Sequence, residues 1–272
     1  MFRCYRMICF CASLVWAPSM AIAAASTVAP MLSTDASSGA LDYRFSFDGY
    51  FGGFKIGAGD GRLHWGGGHY AIDFKARTAG MLDWVMSIDQ SAESSGRLAA
   101  SPVAERHRNH NADGKKQSWI ELAFSPDTVR IVDAKPDPKT ETTRSPIAPE
   151  LLGGVVDPLT GVLWLGQIAA AADRCEGKVP VFDGRRRYDT VLTGAGREQY
   201  RGPAGVRDSL VCEFHFERRG GYKADAKRWK GITGKVWLQY LADGLPLLPV
   251  RVQVETTYGT AIIHMVSAAP AQ

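Results

Sequence analysis

Apolar residues at every second position, repeated from one end of the chain to the other, narrow its fold more than any other feature. In Tyr43-Arg44-Phe45-Ser46-Phe47-Asp48 the aromatics alternate with polar residues, and Tyr70, Ile72 and Phe74 alternate with His69, Asp73 and Lys75. Leu82, Trp84, Met86 and Ile88 form a further face, as do Val250, Val252 and Val254. Successive strand side chains point to opposite faces, so this period marks strands with one face buried. The same reading places strands at 54–65, 102–111, 117–124, 127–133, 178–182, 186–193, 210–218, 234–241 and 261–266.

Between these segments lie Asp60-Gly61, Asp113-Gly114, Asp183-Gly184 and Asp243-Gly244, pairs that tolerate the positive φ of tight turns. Short links join antiparallel neighbours, so a meander is expected. The 29 glycines suit a sheet that bends often. Residues 135–149, rich in proline, read as an extended loop.

One segment breaks the rhythm. Asp157 is a good N-cap, and Pro158 fits the first helical turn, where a missing N–H costs nothing. Leu159, Val162, Leu163, Trp164, Leu165, Ile168 and Ala169 then cover most of a helix over 157–173. A helix apolar nearly all round is buried or meets a membrane. The fold class expected is mainly β: one long, curved antiparallel sheet, half-barrel or β-spiral, with a buried apolar helix on its concave face. A two-sheet sandwich is the other architecture the pattern allows. No βαβ alternation appears, which argues against a doubly wound fold.

The N-terminus carries Arg3 and Arg6, an apolar run from Met7 to Trp16, and Ala21-Ile22-Ala23, the order of a secretory signal. The apolar run is too short to span ~30 Å of hydrocarbon. Residues 1–23 are therefore read as a signal peptide cleaved near Ala23, 24–40 as a flexible leader, and 41–268 as a single β-rich domain in the periplasm. No later stretch reads as a transmembrane segment.

The formal charge of +4 falls to +2 when Arg3 and Arg6 leave with the signal, which is no footprint for nucleic acid. Cys4, Cys9 and Cys11 leave too. Cys175 and Cys212 remain as an even pair in an oxidising compartment, where a disulfide is the default. It would close a loop of about 38 residues, worth roughly 4 kcal/mol in chain entropy.

Motifs with chemistry are weak. Gly52-Gly53-Phe54-Lys55-Ile56-Gly57-Ala58-Gly59 lacks the Lys-Ser/Thr of a phosphate loop and no helix follows it. His107 and His110 are three apart in a strand, on opposite faces, and are read as part of an exposed polar strand, not as metal ligands. His215 lies between Glu213 and Glu217 on the outward face, opposite Cys212, Phe214 and Phe216, and reads as part of a solvated charge row. No serine lies in a nucleophile elbow. Arg185, Arg186 and Arg187 could touch an acidic surface, or close an ordinary hairpin. No catalytic residue, metal or cofactor is expected.

Certain strings carry a family resemblance. Val156-Asp157-Pro158-Leu159, then Val181-Phe182-Asp183-Gly184-Arg185-Arg186-Arg187-Tyr188, then Pro246 and Pro249-Val250-Arg251-Val252, resemble the bacterial periplasmic family called domain of unknown function 3108, over roughly residues 41–266. The family has no established activity, so the resemblance implies a fold and no catalytic residue. It implies a fold like that of periplasmic β-spiral proteins and half-barrel lipoprotein carriers. Two readings of function follow. One is a non-enzymatic envelope protein whose curved sheet and helix shelter a lipid, an acyl chain or an apolar peptide, with Leu159, Leu163, Trp164, Phe214 and Phe216 lining the cavity. The other is a scaffold that binds envelope proteins or cell wall and has no small ligand.

Overall fold

The computed structural model describes residues 39–79, 88–114, 116–223, 233–256 and 259–271. The proposed signal, nearly all of the leader, and Leu82, Trp84 and Met86 lie outside them. The strands in chain order are β1 (Leu41–Phe51), β2 (Phe54–Gly66), β3 (His69–Thr78), β4 (Ile88–Leu98), β5 (Pro102–Asp113), β6 (Lys116–Ser125) and β7 (Thr128–Lys135). Helix α1 (Pro158–Ala172) follows. The second run is β8 (Gly177–Phe182), β9 (Arg187–Gly202), β10 (Gly205–Gly220), β11 (Thr233–Gln239), β12 (Leu248–Thr256) and β13 (Gly259–Pro270).

All of these strands join one antiparallel sheet, ordered β7-β6-β5-β4-β3-β2-β1-β13-β12-β11-β10-β9-β8. Each run is a meander, as the short turn pairs demand. The runs are joined through β1 and β13, where Phe47 faces Met265 and Phe51 faces Ala261. The sheet does not close into a barrel. Instead α1 packs against β8 and β12 of one run and β4 and β5 of the other, so the curled sheet wraps the helix.

Alternation explains most strands. Tyr70 and Ile72 of β3 are buried while His69 and Ala71 are exposed. On β2 the inward positions are Gly59, Gly61, Leu63 and Trp65. Asp60-Gly61 is therefore mid-strand and not the turn its sequence suggests. Gly61 pairs with Phe45 across β1, and a Cβ there would come within 2.0 Å of the Phe45 ring. The glycine is there to admit an aromatic ring. The actual turn uses Gly52 and Gly53, both at positive φ.

Strand β4 is the second difference. Its sequence, Ile88-Asp89-Gln90-Ser91-Ala92-Glu93-Ser94-Ser95-Gly96-Arg97-Leu98, carries no aromatic signal. Its inward residues are small because larger ones stand above them. At Gly96 a Cβ would lie 2.0 Å from the Val103 carbonyl oxygen and 2.7 Å from the Tyr70 hydroxyl.

Helix α1 begins as its sequence dictates. Asp157 caps it, accepting from the Leu159 and Thr160 amides at 2.9 and 3.1 Å. Its circumference is divided three ways. Leu163 enters a core with Tyr70, Trp237 and Val250. Leu165 and Ala169 enter a second with Val179, Cys212 and Leu238. Val162 is 40% exposed, so the all-apolar helix is not buried all round. A third core joins Ile120 and Leu122 of β6 to Val155 and Phe182.

Candidate ligand-binding cavity

The exposed side of Val162 opens on an apolar cavity of about 250 Å³. Pro158, Gly161, Val162, Leu165 and Gly166 form its helical wall, and Tyr188, Leu192, Phe214, Phe216, Val236 and Val252 face them from the sheet. The helix can approach the sheet because two of those positions are glycine. A Cβ on Gly166 would lie 2.0 Å from the Leu247 carbonyl oxygen, and one on Gly161 would lie 3.1 Å from Val181. The sheet wall is aromatic at one end: Tyr188 meets Phe216 edge to face at 5.2 Å, and Phe214 lies 5.7 Å from Phe216.

Of the lining expected from sequence, Phe214 and Phe216 are in place. Leu159, Leu163 and Trp164 are not. Leu163 is fully buried in the main core, Leu159 packs against that core, and Trp164 packs against the second. The periodicity showed an apolar helix but not which stripe faces the sheet. The stripe that lines the cavity holds glycines and a proline, which a search for large apolar residues passes over.

Pro158 and Tyr188 also belong to a larger, polar groove of about 1,110 Å³. Asn109 and Asn111 of β5, Trp119 of β6, and Arg144, Asp183, Arg185, Arg186, Tyr222 and Lys223 line it. The turn between β8 and β9 sets its arginines. Asp183 accepts from the amides of Arg185 and Arg186 at 2.9 and 2.7 Å and from the Arg186 guanidinium at 2.7 Å. The Asp183 charge, working against desolvation, raises the Arg186 pKa. Arg185 pairs with Glu141 at 2.8 Å and donates to the Pro136 carbonyl oxygen. Burial alone would raise the Glu141 carboxyl, but Arg144 and Arg185 hold it below the usual carboxylate range.

Arg187 departs from the expected basic patch. It is buried, pairs with Asp189 at 2.5 Å and donates to the Leu151 carbonyl oxygen, so it cannot contact an acidic surface. Arg185 and Arg186 do face the groove.

A polar cluster the sequence did not reveal anchors the helix behind the cavity. Ser94 donates to Asp157 at 2.5 Å and lies 2.8 Å from His107 Nδ1. With its single proton given to Asp157, Ser94 accepts from His107. By the same logic Thr160 donates to Asp157 and accepts from the Tyr70 hydroxyl at 2.7 Å. Directly, or through Ser94 and Thr160, the donors converge on one fully buried carboxylate. Burial would raise its pKa, yet hydrogen bonds from Ser94 and Thr160 and the adjacent His107 imidazole lower it.

His107 is 2% exposed, contrary to the exposed polar strand read from its neighbours. The cause is a bulge. Gly96 pairs with Ala104 and Ser95 with Arg106, so Glu105 is unpaired and the inward parity of β5 passes to His107. His215 stays part of a charged surface row, 3.9 Å from Glu217, which Lys178 and Arg219 also hold. Cys175 and Cys212 are joined, with Sγ–Sγ 2.07 Å, tying the segment after α1 to β10. Among the described residues no helix is long and apolar enough to cross a membrane.

The model of the DUF3108 family, described as a protein of unknown function, matches residues 44–266. None of the curated proteins matches the sequence. Among solved structures, the crystal structure of a beta-barrel-like protein of domain of unknown function DUF1849 from Brucella abortus is similar at TM-score 0.52 and 11% identity. The likeness covers 85% of this chain and 98% of that one. At that identity it speaks for the fold alone.

Proposed function

The chain belongs to the DUF3108 family, and from that premise we propose that it is a non-enzymatic cell-envelope protein, exported to the periplasm, that shelters an apolar chain between α1 and the sheet. The observation that carries this reading is the cavity beside Val162. It is lined almost wholly by apolar side chains, and an aliphatic residue of its wall, Val162, stays 40% exposed. Concave apolar sites with a few polar groups nearby suit ligands of this kind. Its volume falls below the ~300–1,000 Å³ typical of sites for drug-sized ligands, which favours part of one chain over a whole diacyl lipid. Residues 1–23 and the Cys175–Cys212 bond support an oxidising destination.

Native mass spectrometry of the mature protein purified from the periplasm, followed by solvent extraction, tests the reading. A bound mass lost on denaturation and recovered as an apolar compound is expected. Empty protein from a native source would remove the ligand from the proposal.

The scaffold reading has its own observation. Strand β7 is a sheet edge with Ile131 and Val132 38% and 43% exposed, a place where another chain could add a strand. Crosslinking in cells that recovers a partner through β7 from an empty protein would favour it.

A further inference from the structure

The polar groove and the apolar cavity share a wall, and that wall is already amphiphilic. Pro158 and Tyr188 line both spaces. On the cavity side the Tyr188 ring packs on Phe216. On the groove side lie Arg185 and Arg186, fixed by the Asp183 turn. Among the described residues four cations, Arg144, Arg185, Arg186 and Lys223, line the groove against one carboxylate, Asp183. Glu141, paired with Arg144 and Arg185, brings a second. The balance stays positive, in a recess where the side chains of Arg144 and Arg185 are only 20% and 17% exposed. Partly buried guanidinium groups suit carboxylate and phosphate oxygens, and the low local dielectric strengthens the attraction.

Resting on the apolar-chain reading above, we propose that the ligand is an anionic amphiphile: a single acyl or alkyl chain in the cavity beside α1, with its carboxylate or phosphate head in the arginine-lined groove past Tyr188. The chain supplies burial and the head supplies selection. An uncharged head would leave the groove's cations as they are and gain only the apolar contacts.

Titration calorimetry on the mature, disulfide-bonded protein tests this with laurate, dodecyl phosphate and uncharged monolaurin, whose chains match in length, and with inorganic phosphate as the head alone. Laurate or dodecyl phosphate should bind about tenfold tighter than monolaurin at low salt, or more, a step of about 1.4 kcal/mol. That margin should shrink as ionic strength rises from about 0.1 to about 1 M and the screening length falls from about 10 to about 3 Å. Whichever charged ligand is preferred names the head as carboxylate or phosphate. Arg186→Gln should cut the margin to about threefold or less. Because Arg186 also braces the β8–β9 turn, Lys223→Gln, on an exposed residue, serves as the second variant and should reduce the margin in the same direction. Equal binding of all three chains, or a margin that neither variant moves, would overturn the anionic head and leave the cavity reading standing. Inorganic phosphate binding as tightly as dodecyl phosphate would overturn the joined site. Failure of every chain to bind would remove the cavity reading itself.

Discussion

Replacing Asp157 by Asn tests whether the buried cluster behind the cavity is what seats the helix. The substitution keeps size and shape and removes one acceptor oxygen with its charge. The asparagine side chain can still accept from the Leu159 and Thr160 amides and from Ser94 through its remaining oxygen. Its amide nitrogen then confronts the Thr160 hydroxyl, which donates in the native protein. If that hydroxyl turns to accept, either its own proton or that of the buried Tyr70 hydroxyl, 2.7 Å away, is left without an acceptor. One unsatisfied buried donor costs about 1–3 kcal/mol. Loss of the negative charge at the helix N-terminus adds roughly 0.3–1 kcal/mol. The expected destabilisation is about 3 kcal/mol, or roughly 6–12 °C in Tm for a domain of this size. Urea denaturation followed by circular dichroism should show a lower midpoint at unchanged slope. Tyr70→Phe should cost only about 1 kcal/mol, because Thr160 keeps its own bond to Asp157. The sign of the pH effect follows from the lowered Asp157 pKa. Its contribution is present above the unfolded value of about 3.9 and is lost as pH falls from there through the folded value. The Asn variant should therefore lose less stability than the native protein below about pH 4. An Asn variant within about 0.5 kcal/mol of native stability, the range of ordinary surface changes, would refute the reasoning.

Other consequences can be checked by the same methods. Removing the disulfide with Cys175→Ala and Cys212→Ala should cost about 4 kcal/mol, read as a Tm drop of roughly 8–16 °C; unchanged stability would mean the bond does not constrain the unfolded chain. Gly61→Ala should destabilise by about 1–3 kcal/mol through the Phe45 ring, and Phe45→Leu in the same chain should recover part of that loss. Arg187→Gln should cost about 1–3 kcal/mol because it strips one of three cations from buried Asp189, which keeps Arg219 and Lys178, whereas Lys223→Gln should leave Tm within about 1 °C.

The sequence by itself determined most of the strands, three of the four turn pairs it marked, and the helix. Period-two alternation locates β1, β3 and β12 because one face of each is buried, and Asp157-Pro158 locates the helix start through local hydrogen-bond chemistry. The Cys175–Cys212 pairing was also legible, since these are the only two cysteines outside the segment read as a signal. Tertiary structure decided what is not local. Gly61 and the small residues of β4 look like turn or loop material until Phe45 and Tyr70 are placed above them. A single unpaired residue, Glu105, turns His107 inward, and no periodicity reveals a bulge that forms only against its partner strand. The cavity is the strongest case. A helix apolar on nearly every side has no preferred stripe of its own, so the curl of the sheet chose Gly161, Val162 and Gly166 for its wall and sent Leu163 to the core. Burial depends on what lies opposite, and for this helix that comes from strands distant in sequence.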